Sequence, residues 1–218
     1  MRLMDRWVCL DVGETLIDET RIWTIWADEL GIPALTFMAA LGAVLDRGRE
    51  FRGVFEWFGY SEADWRARIP RVEERYAGFQ EKDLYPDARR SLEALRAAGY
   101  RLAIVANQPP MRTAELRALG IEADVMAMSG EMGVAKPDPA FFARALELMG
   151  SPTPGLVAYV GDRIDNDVLP AAAAGMRTAW IRRGPWGVIQ QPPKGVAPDL
   201  TVDTLDELGR RIGEVWAA

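Results

Sequence analysis

The short apolar run Trp7-Val8-Cys9-Leu10 ends in Asp11, which opens the segment Asp11-Val12-Gly13-Glu14-Thr15-Leu16. A carboxylate that closes a buried strand and precedes a tight turn is suited to act as a nucleophile or as a metal ligand. Sites of this kind often place a second carboxylate two residues on as the proton-transfer partner. Here that place holds Gly13. Other polar residues fall at comparable points: Asn107 ends a second apolar run, Gly161-Asp162 ends a third, and Asp165, Asn166 and Asp167 open the helix that follows. Singly, each has an ordinary explanation as a turn residue or as an acid in the first turn of a helix. Together they face one edge, where two carboxylates about 4 Å apart repel by roughly 4 kcal/mol at an effective dielectric of about 20. A cation must compensate them.

The available ligands are oxygens, and the chain contains no histidine. A hard divalent ion is therefore expected, and Mg²⁺ fits best, because it takes one or two carboxylates and completes its shell with water and substrate phosphate oxygens. Asp11 and Asp162 are the carboxylates in question. Lys136, in Gly133-Val134-Ala135-Lys136-Pro137-Asp138-Pro139, offers a second cation just ahead of a helix. Lysine is used at only three of the 26 basic positions. A lysine kept here points to a compact charge, although a solvated loop lysine is the plainer alternative.

The elements that must position these groups show in the hydrophobic pattern. From about residue 86 onward, short β-branched runs at 102–106, 125–128, 156–160, 178–181 and 200–202 alternate with helical patterns. The helices are expected from Pro86 to Gly99 and over 113–119, 139–149, 166–174 and 205–216. Such alternation predicts an α/β fold, a Rossmann-like parallel sheet covered by helices on both faces, with its chemistry at the carboxyl edge. Residues 18–85 break the pattern. Ile22, Ile25, Trp26 and Leu30 share one helical face, as do Phe37, Leu41, Val44 and Leu45. Ser61 and Asp64 resemble a capping box that opens a third helix through Trp65, which Pro70 limits. The block is too long for an ordinary connection and reads as a helical domain, 18–85, inserted into an α/β core of 1–17 and 86–218.

Taken in order, Asp11-Val12-Gly13-Glu14-Thr15, Ile104-Val105-Ala106-Asn107, Lys136-Pro137-Asp138 and Gly161-Asp162-Arg163-Ile164-Asp165-Asn166-Asp167 resemble the four motifs of the haloacid dehalogenase-like hydrolase superfamily. The helical block is similar to that superfamily's C1-type cap, so the resemblance covers essentially the whole chain. It implies a Mg²⁺-dependent phosphatase in which Asp11 attacks the phosphoryl group to give an aspartyl phosphate. The ion would be held by Asp11, Asp162 and the backbone carbonyl of Gly13. Thr15 and Asn107 would orient groups near the nucleophile, Lys136 would screen the charges, and Asp167 would anchor metal-bound water or Lys136. Two residues depart from the usual phosphatase pattern. Gly13 replaces the aspartate that protonates the leaving group, a loss of about 10² to 10⁴ in rate where no substitute exists. An aspartate restored there would thus raise alkyl phosphate hydrolysis. Ala106 replaces a phosphate-binding hydroxyl, which Asn107 would cover in part. Glu14 is adjacent to the gap, but along an extended segment it points to the opposite face from residues 11 and 13.

Composition narrows the classes further. With 218 residues, 49% of them apolar, the chain can bury a full core. A net charge of −6 argues against a nucleic-acid binder working through phosphate neutralisation. The single cysteine, Cys9, excludes an intrachain disulfide and reads as core packing in a reducing compartment. No apolar stretch of signal or membrane-span length is seen, so a cytoplasmic protein without a membrane partner is expected. The expected ligand is a small phosphorylated metabolite. Trp23, Trp26, Trp57, Phe58, Tyr60 and Trp65 make the cap aromatic; they suit packing, an apolar lid or a homodimer interface equally. The loop Arg182-Arg183-Gly184-Pro185-Trp186-Gly187 could join the lid, with a basic exposed turn as the simpler view. Two other functions fit the same residues: a catalytically degenerate binding protein of this fold, and a 2-haloacid dehalogenase, which would not need the Asp162 and Asp167 pair.

Overall fold

The computed structural model describes residues 5–217. Residues 1–4, which bear on the expected absence of a signal-like stretch, lie outside the described part. Strand β1 (Trp7–Leu10) leads into five helices: α1 (Thr20–Glu29), α2 (Ala34–Asp46), α3 (Gly53–Trp57), α4 (Glu62–Arg66) and α5 (Ile69–Tyr76). The alternating part begins with α6 (Ala88–Ala97), β2 (Arg101–Ala106), α7 (Arg112–Ala118), β3 (Val125–Met128), α8 (Ser129–Met132) and α9 (Pro139–Leu148). It continues through β4 (Val157–Gly161), a π-helical turn (Ile164–Val168), α10 (Leu169–Ala173), β5 (Arg177–Ile181), α11 (Gly184–Ile189), β6 (Leu200–Val202) and α12 (Leu205–Arg211).

All six strands run parallel in the order β3-β2-β1-β4-β5-β6. From β1 the chain builds outward through β2 and β3, then returns to the other side of β1 with β4. The order therefore reverses between β1 and β4, the place where open α/β sheets put their ligand crevice. Asp11 follows β1 and Asp162 follows β4, and the pairing Leu10↔Val160 with Asp11 N–H donating to the Val160 carbonyl at 2.9 Å sets the two ends level.

Alternation along the strands sends successive side chains to opposite faces. Val8, Leu10, Leu102, Ile104, Val160 and Ile181 join one core with α6 and α12, while Trp7, Cys9, Val105 and Tyr159 join another with Phe141, Phe142 and Ala145 of α9. Cys9 is buried there as packing, and burial pushes its thiol pKa far up.

Helices α1–α4 bury a third cluster, built on Trp23, Phe37, Leu41, Phe55 and Trp65 and joined by Trp186 of α11, while α5 sends Val72 and Tyr76 into the first core. The two crossings between this insertion and the sheet domain are stitched together. Ile17 bridges Leu84, Asp18 N–H donates to the Asp83 carbonyl at 2.7 Å, and Tyr85 N–H donates to the Leu16 carbonyl at 3.0 Å. Arg21 clasps the seam by donating to Asp83 and to the carbonyls of Tyr76 and Gly78.

Several expectations need correction. Ser61 and Asp64 form the capping box, but the helix it opens, α4, already stops at Arg66, and Pro70 sits in the first turn of α5 instead of setting that limit. Proline serves well in a first turn, where its missing N–H has no partner to lose. The segment 166–174 is a π-helical turn followed by α10, and the last helix tightens into a 3₁₀ turn at Ile212–Trp216. Residues 182–187 are not a basic exposed turn. Gly184 opens α11, Trp186 is buried, and Arg183 is buried in an ion pair with Asp87. Among the described residues no single helix is long and apolar enough to cross a membrane.

Candidate active site

Three carboxylates meet at the sheet edge. Asp11, Asp162 and Asp167 are all buried, and each offers an oxygen within 4.8 Å of the other two. Lys136 reaches between them, with Nζ 2.8 Å from Asp11 Oδ1 and 2.6 Å from Asp167 Oδ1. Burial works against the lysine's charge, but Asp11 and Asp167 together outweigh it and hold its pKa above the ordinary lysine value. One ammonium against three carboxylates leaves the cluster short of positive charge. The deficit shows at Asp162, whose carboxyl is pushed well up by burial and by the neighbouring Asp167 and Asp11, and whose Oδ2 is buried without any hydrogen-bond partner.

Each partner is fixed by local structure. Asn107, at the end of β2, receives Lys136 N–H on Oδ1 at 2.8 Å and donates Nδ2 to the Lys136 carbonyl at 2.9 Å. Both ends of its amide are thus spent on pinning the lysine loop. Asp167 accepts from Lys136 on Oδ1 and from the Arg163 N–H on Oδ2 at 3.0 Å, while burial raises its pKa to about 6 against the pull of Lys136. Thr15 is fully buried with its hydroxyl unpartnered; its carbonyl accepts from Arg183. The three motif acids and the lysine come together as the sequence implies, whereas Thr15 does not line the cleft.

The cleft encloses about 650 Å³ between the sheet edge and the helical insertion. Asp11, Gly13, Lys136 and Asp162 form its floor, and Trp23, Phe51 and Arg52 come from the insertion, facing Trp186 of α11 and Arg163. Trp23 and Trp186 pack with ring centroids 6.2 Å apart, and Phe51 meets Trp186 edge-on at 6.1 Å. The aromatics are therefore divided: Trp23 serves the cleft, Trp65 packs beneath Phe55, and Trp57 is exposed.

Residues 6–175 match the haloacid dehalogenase-like hydrolase family. The chain belongs to that family. It is 33% identical over 198 residues to a phosphoserine phosphatase of Thermus thermophilus, an alignment that covers 88% of this chain and 74% of the relative. A glyceraldehyde 3-phosphate phosphatase of Methanopyrus kandleri is 36% identical over 127 residues, covering 57% of this chain and 54% of that one. Among solved structures, a phosphatase of this family from Thermococcus onnurineus superposes with a TM-score of 0.61 at 25% identity, over 96% of this chain and 98% of its own. A 2-haloacid dehalogenase from Pseudomonas syringae gives 0.59 at 23% identity, over 97% and 98%. Hydrolases of both kinds share the fold, so the site chemistry has to separate them.

Within this hydrolase, Glu14, Glu19 and Gly161 take settings that residue pattern alone does not reveal. Glu14 adopts a positive φ of 51°, and its carboxylate accepts from the Tyr85 hydroxyl at 2.5 Å and from the Glu19 N–H at 3.1 Å. Burial raises its pKa to about 7. Glu19 lines the cleft, and its enclosure beside Glu14 and Asp11 lifts its pKa to about 8. Gly161 is needed for space: a Cβ there would lie 2.3 to 2.7 Å from Oδ2, Cγ and Cβ of Asp167. Asp167 is held at both oxygens and has nowhere to retreat. Gly161→Ala is expected to destabilise the protein by about 1–3 kcal/mol through overpacking. Urea unfolding checks this, and an unchanged midpoint would show that Asp167 can shift freely.

Proposed function

We propose that this chain is a Mg²⁺-dependent phosphatase acting on a small phosphorylated substrate through an aspartyl phosphate on Asp11. The observation that carries the reading is the unpartnered, buried Asp162 Oδ2 beside Asp11 and Asp167. Such a group left alone costs on the order of 1–3 kcal/mol or more, and an oxygen-only donor set is what Mg²⁺ takes. Asp11, Asp162 and the Gly13 carbonyl would hold the ion, with Asp167 anchoring its water or Lys136. When bound, the ion supplies positive charge that draws the phosphoryl oxygens to the nucleophile. A dehalogenase has no use for that buried, unpartnered carboxylate oxygen beside two further acids. The named phosphatase relatives support the same direction.

The chain's own residues divide the work. A carboxylate oxygen of Asp11 forms the new bond to phosphorus as the bond to the leaving oxygen breaks; water then attacks phosphorus and returns Asp11 to its carboxylate. Lys136 screens Asp11 and limits the repulsion between carboxylate and phosphoryl group. Asn107 acts by holding Lys136. The insertion, as a cap, closes Trp23 and Phe51 over the cleft and excludes water during transfer.

The test is a panel of alkyl, acyl and aryl phosphates and of 2-haloacids, each with Mg²⁺ and with EDTA. Phosphate release that requires Mg²⁺ is expected, together with a rise in Tm on adding Mg²⁺ that Asp162→Asn reduces. Halide release in EDTA would make the protein a dehalogenase. A Mg²⁺-dependent rise in Tm without any turnover would make it a binding protein of this fold.

A further inference from the structure

Gly13 is not a glycine for the sake of its backbone. Its φ lies outside the left-handed region that eleven other glycines occupy, so any residue could adopt its conformation. What stands where a side chain would go is the end of Glu19. A Cβ built on Gly13 would stand 2.5 Å from Glu19 Oε1 and 2.9 Å from its carboxyl carbon. Those separations are closer than unbonded atoms approach, and the first is of the length an aspartate's own carboxylate oxygen keeps from its Cβ. The Glu19 carboxyl therefore occupies the space that a side chain on residue 13 would enter, and it would have to swing aside to admit one.

The local chain delivers it there. Glu19 is the residue before the first turn of α1, a place where short polar side chains usually cap the helix, but its side chain makes no capping bond. Asp18 serves the turn instead, accepting from Thr20 N–H at 2.8 Å. The Glu19 backbone is fixed by its N–H bond to Glu14 Oε1 at 3.1 Å, and its Oε1 has a long contact of 3.4 Å with Gln108 Nε2. Glu14, itself tied to Tyr85, is thus a positioning residue for the Glu19 backbone, and the Glu19 carboxyl lines the cleft that Asp11 floors.

Resting on the phosphatase reading above, we propose that Glu19 is the general acid and base of the reaction, supplied from the start of the helical insertion in place of a carboxylate at residue 13. As Asp11 bonds to phosphorus, the Glu19 carboxyl gives its proton to the departing alcohol oxygen. The resulting carboxylate then takes a proton from the water whose oxygen attacks phosphorus, which breaks the bond to Asp11 and releases phosphate. Both carboxyl groups end as they began. The expectation that Gly13 weakens acid catalysis considered residue 13 alone. With Glu19 in place, Gly13→Asp by itself is expected to gain nothing, because the new side chain must displace the acid already present and only exchanges one carboxyl for another.

Three variants test this: Glu19→Gln, Gly13→Asp, and Gly13→Asp combined with Glu19→Ala. Glu19→Gln should lower kcat/KM for alkyl phosphates by about 10² to 10⁴-fold and for activated aryl phosphates far less, since a good leaving group needs no proton. It should also accumulate phosphate label on the protein, because water is no longer activated. The double variant should recover alkyl phosphate hydrolysis while Gly13→Asp alone stays at or below wild type. Recovery in the double variant also answers the objection that Glu19→Gln merely misfolds. Wild-type rates in Glu19→Gln, equal losses for alkyl and aryl substrates, or a double variant no better than Glu19→Gln would overturn the assignment while leaving the phosphatase reading intact. A wild-type protein that hydrolyses none of the phosphates would end both.

Discussion

Asp11→Asn is expected to lower Mg²⁺-dependent phosphate release by a factor on the order of 10⁴ or more and to abolish covalent labelling by radioactive substrate phosphate. A carboxamide keeps the size of the side chain and can still accept from Lys136 Nζ, which lies 2.8 Å from Oδ1. It cannot form the acyl phosphate. The same change should leave the metal-free protein as stable as wild type or more so. At an effective dielectric of about 20, unit charges as close as these carboxylates repel by roughly 3–4 kcal/mol per pair, and only one ammonium offsets three of them. Removing one negative charge relieves repulsion with both Asp162 and Asp167 and forfeits one attraction to Lys136. Loss of activity with unchanged or raised Tm would mark a site whose residues are chosen against stability. A labelled Asp11→Asn protein would place the covalent step elsewhere and sink the aspartyl phosphate.

The site was legible where chemistry follows from strand ends. Asp11, Asn107 and Asp162 each close an apolar run, and a parallel sheet gathers such ends on one edge whatever its exact strand order. Lys136 was legible because lysine is rare in this chain. Glu19 was not. Its role depends on where a helix start in the insertion meets a turn six residues earlier, a meeting that no periodicity records. One signal was available: a glutamate at a helix-capping position, beside an aspartate able to do the capping, is a residue kept for another purpose. Glu14 was hidden by its positive φ, which breaks the extended alternation used to judge its direction. Helices α3 and α5 were lost for a different reason. They are five and eight residues long, too short for a 3.6-residue period to declare itself against the aromatic background of the insertion.

Lys136→Met should cost more stability than either Gly161→Ala or Asp11→Asn. Its side chain is fully buried, and its two partners, Asp11 and Asp167, are buried beside it. Methionine keeps the volume and apolar stem but withdraws the charge, so both carboxylates face each other and Asp162 without a counter-ion. Breaking a buried pair in this way costs about 3–5 kcal/mol, more than the loss of an exposed pair by several-fold. Chemical denaturation in EDTA measures it. The sign of the metal effect separates this account from simple loss of packing. With the ammonium gone, the cluster carries one more unit of uncompensated negative charge, so Mg²⁺ should stabilise Lys136→Met by more than it stabilises wild type while turnover stays low. Turnover stays low because the ion cannot also screen Asp11 from the side Lys136 occupies, where Asn107 holds the lysine loop by two hydrogen bonds. An equal Mg²⁺ effect in the two proteins would mean that Lys136 and the ion do not share the same charge, and that the acidic cluster at the end of β1 and β4 is balanced by something other than cations.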